Sequence, residues 1–98
     1  MLIDTHCHMN MLVKNEFDVA LTPNYHSTAQ TIINQANAAD VKTLVNVGTS
    51  AIESKNCITI AHDFQNCFAT IGTHPNDLHT NWKEDIALYK DLLSENTK

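Results

Sequence analysis

The sequence has no arginine and only two glycines, Gly48 and Gly72, in 98 residues. Without arginine there are no planar guanidinium forks, and the formal charge of −5 supplies no basic stripe. A nucleic-acid module that works by neutralising phosphates is therefore excluded. A nucleic-acid substrate held mainly through metal ions is not. The three cysteines, Cys7, Cys57 and Cys67, are odd in number and form no Cys-Xaa-Xaa-Cys pair. Neither a disulfide framework nor a thiolate zinc knuckle follows, and a reducing compartment is expected. No window approaches 18 apolar residues, and Met1-Leu2-Ile3-Asp4 reaches an acid without a charged n-region. The chain reads as soluble and cytoplasmic. Walker, GxGxxG and GxSxG sequences are also missing.

What is present is an alternation of two hydrophobic periods. Leu2 to His8, Val41 to Val47 and Phe68 to Ile71 are short apolar or β-branched runs, the last two closed by Gly48 and Gly72. They are expected to be strands. Ala29, Ile32, Ile33 and Ala36 stand at offsets 0, 3, 4 and 7, with a start at Ser27, and Cys57, Ile60, Ala61 and Phe64 repeat that spacing. Ser50-Ala51-Ile52-Glu53 has the form of a capping box at the head of this second helix. A third helix is expected to begin after Asn81, its stripe of Trp82, Ile86, Tyr89 and Leu93 directed at the core. The connection from Met9 to His26 reads as a long loop, of a length that is usually functional. The order β-α-β-α-β-α with short connections implies parallel strands joined by right-handed crossovers, in one contiguous unit over residues 1–98.

Asp4-Thr5-His6-Cys7-His8 is the sharpest chemical feature. On an extended strand His6 and His8 share a face at roughly 6.5 Å between Cα atoms, and Asp4 lies on that face too. Two imidazoles so placed can converge on one divalent ion, while a nearby carboxylate can fix a ring tautomer. With six histidines in the chain, composition alone gives roughly one chance in three of some His-Xaa-His pair, so its context must decide. That context is a strand C-terminus, where parallel α/β folds place ligands. Gly72-Thr73-His74-Pro75-Asn76-Asp77 follows the third strand, and Gly48-Thr49-Ser50 the second. His6, His8, Thr49, Ser50 and His74 are thus expected on one rim. His26, His62 and His79 join no constellation and read as surface residues. Phe64, Trp82 and Tyr89 read as core, and Glu84, Asp85, Asp91 and Glu95 as a solvated face.

The segment Leu2 to Asn10, together with Val47-Gly48-Thr49 and Ile71-Gly72-Thr73-His74-Pro75, resembles the TatD family of metal-dependent deoxyribonucleases, within the amidohydrolase-like barrels. The resemblance covers the whole chain in order. It implies an α/β fold of three parallel βα units, the N-terminal part of a TIM (β/α)8 barrel. It further implies a site for two divalent ions (Zn, Mg or Mn) and hydrolysis of DNA phosphodiesters by metal-activated water. Under it His6 and His8 are metal ligands, His74 binds substrate, and Asp4 supports the ligands from behind. Asn10 stands where the family often has aspartate. The family's later ligands, a glutamate after the fourth strand, two histidines and an aspartate, have no counterparts here, and a fourth strand would be due near Ser94 to Lys98. The resemblance thus makes this chain alone an inactive part of an enzyme. Rival readings are a self-associating structural module held by exposed sheet edges, and a barrel hydrolase of cyclic amides.

Overall fold

The apolar runs form a three-stranded parallel sheet in chain order. In the computed structural model, which describes residues 1–78 and 80–95, these strands are β1 (Leu2–Cys7), β2 (Val41–Val47) and β3 (Cys67–Thr70). The helices are α1 (Met9–Leu12), α2 (His26–Ala38), α3 (Ala51–Asp63) and α4 (Trp82–Glu95), with 3₁₀ turns at Pro23–Tyr25 and Pro75–Asp77. The pairs Ile3 with Thr43 and Val45 with Phe68 set the register. Three βα units in this order are the architecture of the N-terminal part of a TIM barrel.

One side of β2 is sealed and the other is not. Leu44 and Asn46 are buried beneath the helices, whereas Thr43, Val45 and Val47 are half-buried on the opposite side. Ile3 and Phe68, paired with that open row, are 53% and 39% exposed. Branched apolar residues are what a barrel interior is lined with. The open face therefore does not by itself make a dimer interface, and the expectation of self-association finds no support here.

The core gathers Met9, Tyr25, Ala29, Ile33, Leu44, Ile60, Phe64 and Cys67. Two of these, Met9 and Tyr25, come from the segment expected to be a long loop. That expectation is corrected: the segment opens with a helical turn whose first two residues, Met9 and Asn10, are wholly buried. The stripe on α4 is a second correction. Trp82, Ile86 and Leu93 are 42%, 44% and 65% exposed, and no described residue of α4 is buried. Its ties are to α3 and to Thr73, whose hydroxyl lies 2.6 Å from that of Tyr89. Among the described residues the sheet ends at β3 and gives the helix no further strand to pack against. The expected fourth strand falls partly on α4, which runs to Glu95, and partly on residues 96–98, outside the described residues.

Glycine scarcity is compensated by amide and acid side chains. Asn15, Asp18 and Asp40 take positive φ values of 55°, 55° and 64°, a region where these residues are several-fold enriched because their short side chains bond locally. Asp40 stands just past Ala39, the C-cap of α2, where glycine would be usual, and its amide reaches back to the carbonyl of Asn37. Gly48 has a different duty. A Cβ there would lie 2.4 Å from Ser54 Oγ and 2.8 Å from the Thr70 carbonyl oxygen, so the close approach of α3 to the ends of β2 and β3 requires its absence.

Candidate metal and substrate site

The three strand ends open onto one cleft of about 400 Å³, lined by His6, His8, Thr49, Thr73 and His74 together with both glycines. The rim expected from the sequence is thus assembled. Ser50 alone of the expected set turns away: its hydroxyl caps α3 by accepting from the Glu53 amide at 3.2 Å and donates to Asp18. The capping box is therefore only half made, because the Glu53 side chain does not return to Ser50.

His8 stands at the head of α1, just past the end of β1, with backbone angles of −127° and 55°. Its Nδ1 lies 3.1 Å from the Val47 carbonyl oxygen. A carbonyl can only accept, so Nδ1 carries the proton and Nε2 keeps a free lone pair. Metal-ligating histidines are characteristically held this way, with one ring N–H given to a carbonyl or carboxylate. The His6 ring packs edge-on against that of His8, with 5.1 Å between centroids. Asp4 accepts the backbone N–H of His6 at 3.0 Å rather than a ring N–H, so it shapes the strand end. The role of tautomer-fixing acceptor, which the sequence offered to Asp4, is filled at His8 by the Val47 carbonyl.

His74 has the opposite polarity. Its Nδ1 accepts the Asn76 backbone N–H at 3.1 Å, which leaves the neutral ring protonated on Nε2. It offers a donor, suited to an anionic oxygen, where His8 offers a lone pair. The His74 backbone is tied by its own N–H to the Thr49 carbonyl oxygen at 2.8 Å. Thr49 Oγ1 is buried and has no hydrogen-bond partner among the described residues.

Two buried residues that the sequence did not assign to the site hold this rim. Ser54, with no exposed surface, accepts the Gly72 N–H at 3.1 Å and donates to the Gly72 carbonyl at 3.3 Å, fixing the segment that leads to His74. Glu53, also without exposed surface, accepts from Asn10 Nδ2 at 2.9 Å, Asn56 Nδ2 at 2.9 Å, Lys14 Nζ at 2.6 Å and the Asp18 N–H at 2.8 Å. Burial opposes its charge, but Lys14 and the three other donors outweigh that and hold its carboxyl below the usual range. Asn10 thus acquires a consequence: its amide donates to Glu53, which an aspartate could not do while ionised.

The remaining candidates stay apart. Among the described residues no third histidine, cysteine or carboxylate lies close enough to His6 and His8 to share a metal ion with them. Burial raises the Cys7 thiol and pushes that of Cys57 up to about 12, so both are protonated near neutrality. His26 stacks on Phe64 at 4.4 Å, His62 is exposed, and His79 lies outside the described residues. No helix among the described residues is long and apolar enough to cross a membrane.

A family model of TatD-related DNases matches residues 3–98. The chain is 31% identical over 74 residues to a 3'-5' ssDNA/RNA exonuclease TatD of Cronobacter sakazakii, covering 72% of this chain and 28% of the relative. To the exonuclease of the same name from Cronobacter turicensis it is 32% identical over 82 residues, covering 81% and 31%. An uncharacterized metal-dependent hydrolase, YabD, of Bacillus subtilis is 28% identical over 92 residues, covering 94% and 32%. The chain spans about three-tenths of the length of these relatives.

Proposed function

This chain belongs to the family of TatD-related DNases, and from that membership and the geometry of its rim we propose that it forms the N-terminal part of a barrel hydrolase that cleaves nucleic-acid phosphodiesters with divalent metal ions. The observation that carries the reading is the His8 ring, whose Nδ1 is spent on the Val47 carbonyl while Nε2 is left with a free lone pair beside His6. Two histidines, one of them orientated in this way, fit a divalent ion. His6 and His8 would supply two nitrogens, and the remaining ligands would come from outside this chain. When bound, the metal supplies a water of lowered pKa and positive charge for the phosphoryl oxygens.

The other groups divide the work of holding substrate. His74 directs its Nε2–H toward an anionic oxygen, and Thr49 offers a hydroxyl that no described residue engages. These neutral donors position the phosphodiester, and the metal site supplies positive charge beside them. The names of the Cronobacter relatives point to single-stranded DNA or RNA as substrate.

The test is steady-state hydrolysis of a single-stranded oligodeoxynucleotide by the full-length protein. Replacing His8 with alanine is expected to lower kcat at least 100-fold together with bound metal. The His74→Ala variant should keep its metal and lose kcat/KM about 10-fold or more, the usual cost of a positioned donor to charge. Loss of metal from His74→Ala and not from His8→Ala would reverse the two assignments.

A further inference from the structure

Glu53 is a buried carboxylate that the proposed chemistry does not use, and its hydrogen bonds run toward the metal-ligating segment. Through Oε1 it accepts from Asn10 Nδ2, itself wholly buried. Asn10 follows Met9, whose amide donates to Asn46 Oδ1 at 2.9 Å, and Met9 follows His8. Through Oε2 it holds Lys14 and the Asp18 amide, which fasten the chain on the other side of α1. The turn directly after His8 is therefore pinned at both ends to the first turn of α3, which begins where β2 ends.

We propose that Glu53 is a positioning residue for the His6 and His8 pair, acting through Asn10. A four-residue helix has no stability of its own, since nucleation alone outweighs its few internal bonds. What fixes α1, and with it the backbone of His8, is this set of cross-links together with the burial of Met9 in the core. The direction of the His8 ring then follows, because Nδ1 reaches the Val47 carbonyl only while the His8 backbone stays in place. The proposal rests on the reading of His8 as a ligand for its purpose, but not for its geometry.

The experiment is long-range ¹H–¹⁵N NMR of the imidazoles in the full-length protein, with and without added Zn²⁺, for wild type, Asn10→Ala and Glu53→Gln. Wild type is expected to show His8 with its proton on Nδ1. Both variants should shift His8 toward a mixture of tautomers and raise the half-saturating Zn²⁺ concentration about 10-fold or more. Amides of the distant residues Ile33 and Phe64 should keep their shifts, which a general loss of structure would not allow. Should Glu53→Gln fail to fold, Asn10→Ala decides, since it leaves Glu53 its other three donors. An unchanged His8 tautomer in a folded Asn10→Ala variant overturns the proposal. An absence of Zn²⁺-induced shifts at His6 and His8 of the wild type overturns instead the metal reading, and the tautomer comparison still decides the anchoring.

Discussion

At the scale of single residues, the site depends on which atoms are already committed. His8 and His74 are both rim histidines, yet the Val47 carbonyl makes one a lone-pair donor and the Asn76 amide makes the other a proton donor. The sequence placed both at strand ends, but residue type carries no tautomer, so this difference between them was not legible there. Gly48 shows the same limit. Its place after β2 was readable, while its reason, the Ser54 hydroxyl seated where a Cβ would be, lies across a packing contact. Gly48→Ala should therefore cost about 1–3 kcal/mol by overpacking. It should also loosen the Ser54 bonds to Gly72, seen as faster hydrogen exchange at the Gly72 amide. Urea unfolding equal to wild type would show that α3 can retreat without strain.

At the scale of elements, periodicity located β1, β2, β3, α2 and α3 to within a residue or two, because apolar runs mark the strands and apolar stripes at offsets of three and four mark the helices. It failed where burial was decided from elsewhere. Met9 and Asn10 sit in a short turn with no period to read, and Glu53 had a sufficient local explanation as a capping residue. Nothing in the sequence pointed across 43 residues from Glu53 to Asn10. The resulting cross-link predicts a pH dependence. Glu53 has its carboxyl pKa lowered in the fold, so its contribution is fully present above the unfolded value, about 4.3. It is lost as pH falls through the lower folded value. Lys14→Met should cost about 3 kcal/mol at neutral pH by stranding a buried charge, and should flatten part of this acid limb. Combined with Glu53→Gln, it should cost less than the two single variants added together. Strict additivity in denaturant unfolding would mean that the 2.6 Å ion pair contributes no coupling.

At the scale of the whole molecule, the three βα units build a rim but leave one face of the sheet and most of α4 in water. The fold class was legible because strand and helix periods alternate with short connections, and parallel order follows from that alone. The exposure of the α4 stripe was not, because amphipathicity states which side wants a partner and not whether one is present. The chain spans about three-tenths of its relatives, and it brings two histidine ligands and two substrate donors to the rim. If these groups serve metal-dependent phosphodiester hydrolysis as proposed, oligodeoxynucleotide cleavage by the full-length protein, measured before and after chelation, depends on divalent metal. Chelation is expected to abolish cleavage and a divalent metal to restore it. Undiminished cleavage after metal removal, confirmed by metal analysis, would contradict it.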